Sequence, residues 1–231
     1  MSIHDGHRKR LKTRFCKEGL DNFDELHVLE FLLFYCLHRK DTNLIAHELL
    51  NKFGSLKRVL EASRKELMEV EGIGEHAAVF LTLVREVGRY YEVQRRQVGD
   101  VLTTIEQCGE YITPYFYGRE HETVFLLCLD SKCKVLCCKL VSEGSVNSAN
   151  ISIRKIVETA LRENASSVIV AHNHPSGVAI PSADDIQTTK RLAKALKTVE
   201  ITLVDHLVVA DDDYVSMAQS GMYLPSDCQD Y

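Results

Sequence analysis

Val168-Ile169-Val170-Ala171-His172-Asn173-His174-Pro175 runs from four consecutive apolar residues straight into two histidines and a proline. A short unbroken apolar run of this kind is the pattern of a buried strand. Residues two apart on a strand point to the same side. His172 and His174 can therefore present two imidazoles to one point in space. Ten residues separate His174 from Asp185. Asp185 falls in the first turn of a helix expected to begin at Ser182, so it can fold back as a third ligand. Two histidines and one carboxylate leave zinc a fourth position for water, the layout of a metallohydrolase.

Outward from this strand the chain alternates strands and helices. The apolar run 123–129 reads as a second buried strand, 130–132 as a turn, and 134–141 as the returning strand. Residues 106–115 and 151–164 are expected as helices, the latter with Ile153, Ile156, Val157, Ala160 and Leu161 on one face. A helix over 182–198 follows, then strands over 200–204 and 206–210, an acidic turn at 211–213, and a final short segment at 214–216. Such alternation argues for an α/β or α+β sandwich. The first ninety residues read as helices instead. Asp41-Thr42-Asn43 starts one that Gly54 ends, and Ser55 and Ser63 open two short ones. Gly72-Ile73-Gly74 interrupts the pattern before a long helix over 75–92. The polar stretch 94–100 is the expected boundary, giving a helical domain over 1–95 and a second domain over 101–231.

Composition is ordinary for a globular protein, at 45% hydrophobic and 26% charged residues in a chain of 231. No apolar run approaches the ~20 residues of a membrane span, and the first residues carry no apolar signal core, so a cytoplasmic protein with no membrane contact is expected. The eight cysteines include no C-x-x-C pair, which argues against a zinc ribbon or a redox dithiol. They read as reduced, mostly interior thiols. The net charge of -5 divides into +1 for residues 1–100 (17 basic, 16 acidic) and -6 for the rest (11 basic, 17 acidic). Neither part is strongly basic. Arg8, Lys9, Arg10, Lys12 and Arg14 form a local run, read as a solvated helix face or as a phosphate-contacting patch.

A hydrolytic site also needs a base to take a proton from water. The residues offer two: Glu122, just before the strand 123–129, and Glu143, after the strand 134–141. Either reaches the site if its strand neighbours 167–172, and the spacing does not choose between them. Ser182 is a good helix cap and a candidate hydroxyl donor at the same time.

His172-x-His174-Pro175, Ser182-x-x-Asp185 and an upstream Glu resemble the JAMM motif of the JAB/MPN(+) metalloprotease superfamily. The string Ala171-His172-Asn173-His174-Pro175-Ser176-Gly177 resembles in particular the bacterial RadC family, historically labelled DNA repair proteins. The likeness spans nearly the whole chain: Gly6-His7-Arg8 through Gly72-Ile73-Gly74 resembles the family's helical region, and 101–223 its catalytic-type domain. The resemblance implies an α+β protein, with a C-terminal JAB/MPN-type, cytidine-deaminase-like sandwich around a mixed sheet. It implies one zinc ion per chain on His172, His174 and Asp185, and Glu122 as the base, because the superfamily's Glu begins the strand preceding the motif. It further implies Ser182 as donor to the oxyanion, and hydrolysis of a peptide or isopeptide bond. The chain departs from the family at Ser152-Ile153-Arg154-Lys155, where members often carry His-Pro-Arg-Glu. The Asp205-His206 pair also resembles the family, as a structural pair or one supporting the ligands.

Residues 67–78 resemble a helix-hairpin-helix, in which Gly72 and Gly74 would set backbone amides against a phosphate without reading sequence. Non-specific DNA contact through the helical domain is the expectation that follows. Glu69, Glu71 and Glu75 surround the hairpin and oppose it, since phosphate affinity needs positive charge. The rival reading is a non-catalytic MPN-like scaffold joined to a DNA- or protein-binding hairpin module, although a scaffold needs no base. A zinc nucleobase deaminase is disfavoured because H-x-E and P-C-x-x-C elements are missing. A single metal site gives no support for a two-metal nuclease.

Overall fold

The computed structural model describes residues 3–38, 40–144, 152–211 and 213–223. Contacts divide the chain into two compact units, 1–88 and 89–231. The division falls inside a helix rather than in the polar stretch 94–100. Ile151, Asp212 and Cys228, each part of a sequence expectation above, lie outside the described residues.

The first unit is helical: α1 (Ile3–Glu18), α2 (Glu25–Cys36), α3 (Thr42–Phe53), α4 (Leu56–Glu61), α5 (Arg64–Met68) and α6 (Glu75–Gln94), the last running on into the second unit. Side-chain caps set most of the starts. Asp24, Asp41 and Ser55 each accept from backbone N–H groups one turn on, and Ser63 and Glu66 cap each other reciprocally. Gly54 ends α3 in the left-handed conformation at φ 86°. Leu29, Leu33, Leu49, Val59, Leu67 and Leu81 form the core. The basic run is not simply a solvated face. Arg8 lies 4.9 Å over the Phe34 ring and donates to the Leu37 carbonyl, and Arg14 lies 4.6 Å over Phe23. These two cations are engaged inside the unit by cation–π contact.

The second unit is an α+β sandwich. It comprises α7 (Ile105–Ile112), β1 (Thr123–Leu129), β2 (Val135–Glu143), α8 (Ile153–Arg162), β3 (Ser167–Asn173), α9 (Ala183–Lys197), β4 (Thr202–Ala210) and β5 (Asp213–Ser216). The strands lie in the order β2-β1-β3-β4-β5, with β3 and β4 parallel and the other neighbours antiparallel. All seven residues of β1 are buried, as expected for a sheet covered on both faces. One face carries Leu126, Val168 and Val170 against Ile156 of α8 and Leu192 of α9. The other carries Phe125, Leu127 and Ile169 against Ile112 of α7.

Two expectations are corrected here. Helix 106–115 is shorter than expected: α7 stops at Ile112, and Thr113–Phe116 tightens into a 3-10 turn with Pro114 at its start. The strands expected over 200–204 and 206–210 are one strand, β4. The charge of Asp205 interrupts the apolar pattern in sequence, but its carboxylate is fully buried and satisfied. It accepts from the backbone N–H groups of His206 (2.7 Å) and Ala218 (2.9 Å) and from the Ser216 hydroxyl. The β3–β4 register also slips here, from Val168↔Leu203 to Ile169↔Asp205, leaving Val204 as the extra residue of a bulge. Among the described residues no helix is long and apolar enough to cross a membrane. The described cysteines are free thiols, and burial pushes Cys36 up to about 11 and Cys108 up to about 12.

Candidate metal centre

The strand period builds one side of the site. On β3, Val168 and Val170 face α8 and α9, so His172 faces α9 too. His172 sits opposite Val124 on β1. Glu122, two residues before Val124, therefore shares the face of His172. Glu143 does not: a register shift in the β1–β2 ladder sets it opposite Thr123, on the other face. It is exposed there and bonds Arg119 at 2.7 Å.

Helix α9 builds the other side. Ser182 is its N-cap and Asp185 occupies the third helical position. Asp185 Oδ2 accepts from the Ser182 backbone N–H at 2.7 Å and from its hydroxyl at 2.6 Å, while the Ser182 oxygen accepts from the Asp185 backbone N–H at 3.1 Å. This capping box aims the carboxylate back at the strand end. Asp185 Oδ1 is buried and has no hydrogen-bond partner. It lies 3.3 Å from His172 Nε2, which is 3.0 Å from His174 Nε2. One ligand atom from each of the three residues falls within 4.8 Å of the others.

Proton bookkeeping shows what this cluster lacks. His174 Nδ1 lies 3.0 Å from the Val178 carbonyl, which only accepts, so the ring proton sits on Nδ1 and leaves Nε2 bare. His172 and Asp185 are 2% and 0% exposed. A buried carboxylate oxygen with no hydrogen-bond partner, set 3.3 Å from an imidazole nitrogen, is a costly conflict. A cation removes that conflict, and two imidazoles with a carboxylate are a donor set zinc accepts. The residues therefore fit a metal.

Electrostatics agree. Burial lowers the His172 imidazole to about 4, with His174 adding to the effect against the pull of Asp185, so the ring is neutral at pH 7. Burial by itself would raise the Asp185 carboxyl, but His172 and the Ser182 hydrogen bonds bring it below its ordinary value. The Ser182 bonds persist at neutral pH, where His172 carries no charge. Glu122 is held above the usual carboxylate range by burial and by the negative Asp185, against the pull of His174. A raised carboxyl beside a metal-ligand set suits a group that takes and returns a proton. Glu120, Glu122, His174, Pro175 and Ser176 are among the residues lining one open pocket of about 410 Å³.

A second polar residue escaped the sequence reading. Asn173, between the two histidines, points to the opposite side of the sheet. Its Oδ1 accepts from the Thr123 backbone N–H at 2.7 Å and its Nδ2 donates to the His121 carbonyl at 3.3 Å. It thus clamps the backbone on both sides of Glu122. Strand alternation was the available signal: the residue between two ligands faces away from them.

The hairpin glycines lie in the first unit. Gly72 turns at φ +91°, and a Cβ there would meet Ile45 Cδ1 at 2.7 Å. Its carbonyl accepts from Lys40 Nζ at 3.0 Å. Gly74 has open space where a Cβ would stand, and Glu69, Glu71 and Glu75 are exposed around the turn. In this structure Gly72 serves close packing against α3.

The RadC-like JAB domain family matches residues 102–222, the span that holds every residue of this centre. The chain belongs to that family. Similar proteins extend the likeness beyond the matched span. A UPF0758 protein of Fusobacterium nucleatum is 34% identical over 95% of this chain and 97% of its own length. A UPF0758 protein of Cellvibrio japonicus is 38% identical over 83% of this chain and 85% of its own, and one from Vibrio cholerae is 34% identical over 91% and 94%. In this RadC-like JAB domain, the sheet and α9 bring together His172, His174, Asp185, Ser182 and Glu122, while Glu143 is turned away and bound to Arg119.

Proposed function

We propose that this chain is a zinc-dependent hydrolase of peptidase or isopeptidase type. The observation that carries the reading is the fully buried Asp185 Oδ1, which has no hydrogen-bond partner and lies 3.3 Å from His172 Nε2, itself 3.0 Å from His174 Nε2. Zinc held there would acidify water and polarise a carbonyl. Glu122 takes a proton from water and returns it to the leaving amine, work for which its raised pKa suits it. Asn173 keeps Glu122 on the face of the ligands by holding the backbone around it. Ser182 holds Asp185 through its hydroxyl proton. Once the carboxylate is committed to a metal, that proton can turn to the developing oxyanion. The pocket beside His174 receives the chain that bears the scissile carbonyl. Exposed Glu69, Glu71 and Glu75 around Gly72 oppose a phosphate, so the hairpin is expected to add no salt-dependent affinity for DNA.

Elemental analysis of the purified protein tests this reading. About one zinc per chain is expected, on a single three-ligand site, lost in His174→Ala and kept in Glu122→Gln. A wild-type protein that takes up no metal after zinc addition and dialysis would sink it.

A further inference from the structure

Behind the ligands lies a second buried imidazole. His206 on β4 is 1% exposed, and its Nε2 is 2.8 Å from His172 Nδ1. Its Nδ1 is 2.5 Å from the hydroxyl oxygen of Thr189, a fully buried residue on α9. The Thr189 oxygen has two further neighbours, the Asp185 backbone carbonyl at 2.6 Å and Met217 Sδ at 3.6 Å. The row of contacts starts at one ligand, His172, and ends on the backbone of another, Asp185.

The protons in this row have two self-consistent arrangements, and they differ at the ligand atom. The Asp185 carbonyl and the Met217 thioether both accept and cannot donate. When the Asp185 carbonyl, 2.6 Å away, takes the Thr189 proton, the Thr189 oxygen is left as an acceptor toward His206. His206 must then carry its proton on Nδ1. A neutral imidazole has one N–H, so His206 Nε2 is an acceptor. His172 must in turn donate from Nδ1, and its Nε2 is left with a bare lone pair. That is the atom 3.0 Å from His174 Nε2 and 3.3 Å from Asp185 Oδ1. In the reversed row Thr189 donates to His206 Nδ1, His206 Nε2 donates to His172 Nδ1, and His172 turns its Nε2–H toward Asp185 Oδ1, which closes Nε2 to a metal.

We propose that Thr189 and His206 are positioning residues that lock His172 in its Nδ1–H tautomer and so present Nε2 to the metal. The proposal rests on the reading of His172, His174 and Asp185 as the metal ligands. Because Thr189 stands one turn after Asp185 on α9, the same turn supplies a ligand and the anchor of the lock. A displacement of α9 would then loosen both histidine and carboxylate together. Partners that orient a ligating histidine in this way typically change metal affinity by about 10- to 100-fold when removed.

The test reads the tautomer and the affinity separately. Two-bond nitrogen–proton correlation spectra of the metal-free full chain are expected to show His172 protonated on Nδ1. Thr189→Val keeps the shape and removes the hydroxyl; it should mix the His172 tautomers and weaken zinc binding about 10- to 100-fold in chelator competition. Thr189→Ser should restore both. If Thr189→Val fails to fold, the pair His206→Gln and His206→Leu replaces it: Gln keeps an acceptor for His172 and should bind zinc more tightly than Leu. His172 protonated on Nε2 in the wild type would overturn the lock. So would zinc affinities in Thr189→Val and His206→Leu equal to the wild type. A wild type with His172 on Nδ1 that binds no zinc supports the lock and overturns the proposed function, so the two failures are distinguishable.

Discussion

Two buried carboxylates, one in each unit, differ in a single respect. Glu30 on α2 is 1% exposed, and the chain itself meets its needs: His7 Nε2 lies 3.1 Å from both of its oxygens, and Asn43 donates to Oε2 at 3.2 Å. Asp185 on α9 is 0% exposed, and only Oδ2 is served; Oδ1 lies 3.3 Å from His172 Nε2 and has no hydrogen-bond partner. The first arrangement is complete and ties three helices together. The second leaves one oxygen without a partner beside residues that could hold a metal ion. A buried polar group left unpaired costs on the order of 1–3 kcal/mol, and a fold that keeps such a cost at one point marks where a ligand belongs.

Substitutions can break this comparison. The largest effect is expected from Glu122→Gln, which should retain metal and lower hydrolysis of a cleavable substrate on the order of 10²- to 10⁴-fold; full activity would remove Glu122 as the base. Next comes the response to zinc. A ligand present at about 100 times its Kd stabilises a fold by about 2.7 kcal/mol, so zinc should raise the melting temperature of the wild type and leave Asp185→Asn unmoved. Glu30→Gln should cost about 1–2 kcal/mol equally with and without zinc. A zinc-dependent cost at Glu30 would erase the distinction between the two carboxylates.

Acidity sharpens the same contrast. Burial lowers His172 to about 4 and His206 to about 3, both from 6.5. Between those limits the unfolded chain binds more protons than the folded one, so stability rises with pH there. The metal-free protein should therefore lose stability as pH falls from 6.5 toward 4 and change little above 6.5. A flat melting temperature across that window would show that these rings are not held neutral by the fold. The smallest effect separates the hairpin glycines. Gly72→Ala meets Ile45 at a positive φ and should cost about 1–3 kcal/mol. Gly74→Ala enters open space and should change stability by less than about 0.5 kcal/mol. Equal costs would mean that packing against α3 is not what Gly72 is for.

Much of this was legible in the residues. The apolar runs at 123–129 and 167–172, the helix starts at Asp41, Ser55, Ser63 and Ser182, and the stop at Gly54 are local signals, each decided within about one turn of chain. The grouping of His172, His174 and Asp185 was legible because His174 follows His172 by two residues at a strand end and Asp185 sits at a helix start. The break expected near Asp205 was misplaced for a physical reason. A charge in an apolar run looks like an end, but the His206 N–H and the turn at 216–218 together supply the donors that let it stay inside.

The sequence by itself determined the two classes of architecture, the grouping of His172, His174 and Asp185 and the cap at Ser182, because these follow from strand and helix periods and from short spacings. Tertiary structure decided the rest. The bulge in the β1–β2 ladder turned Glu143 to the far face and left Glu122 beside His174. Asn173 reached across to β1, and His206 on β4 met Thr189 on α9 behind the ligands. Register and the direction of a hydrogen bond between distant strands depend on how elements pack, and no local spacing along one chain encodes them.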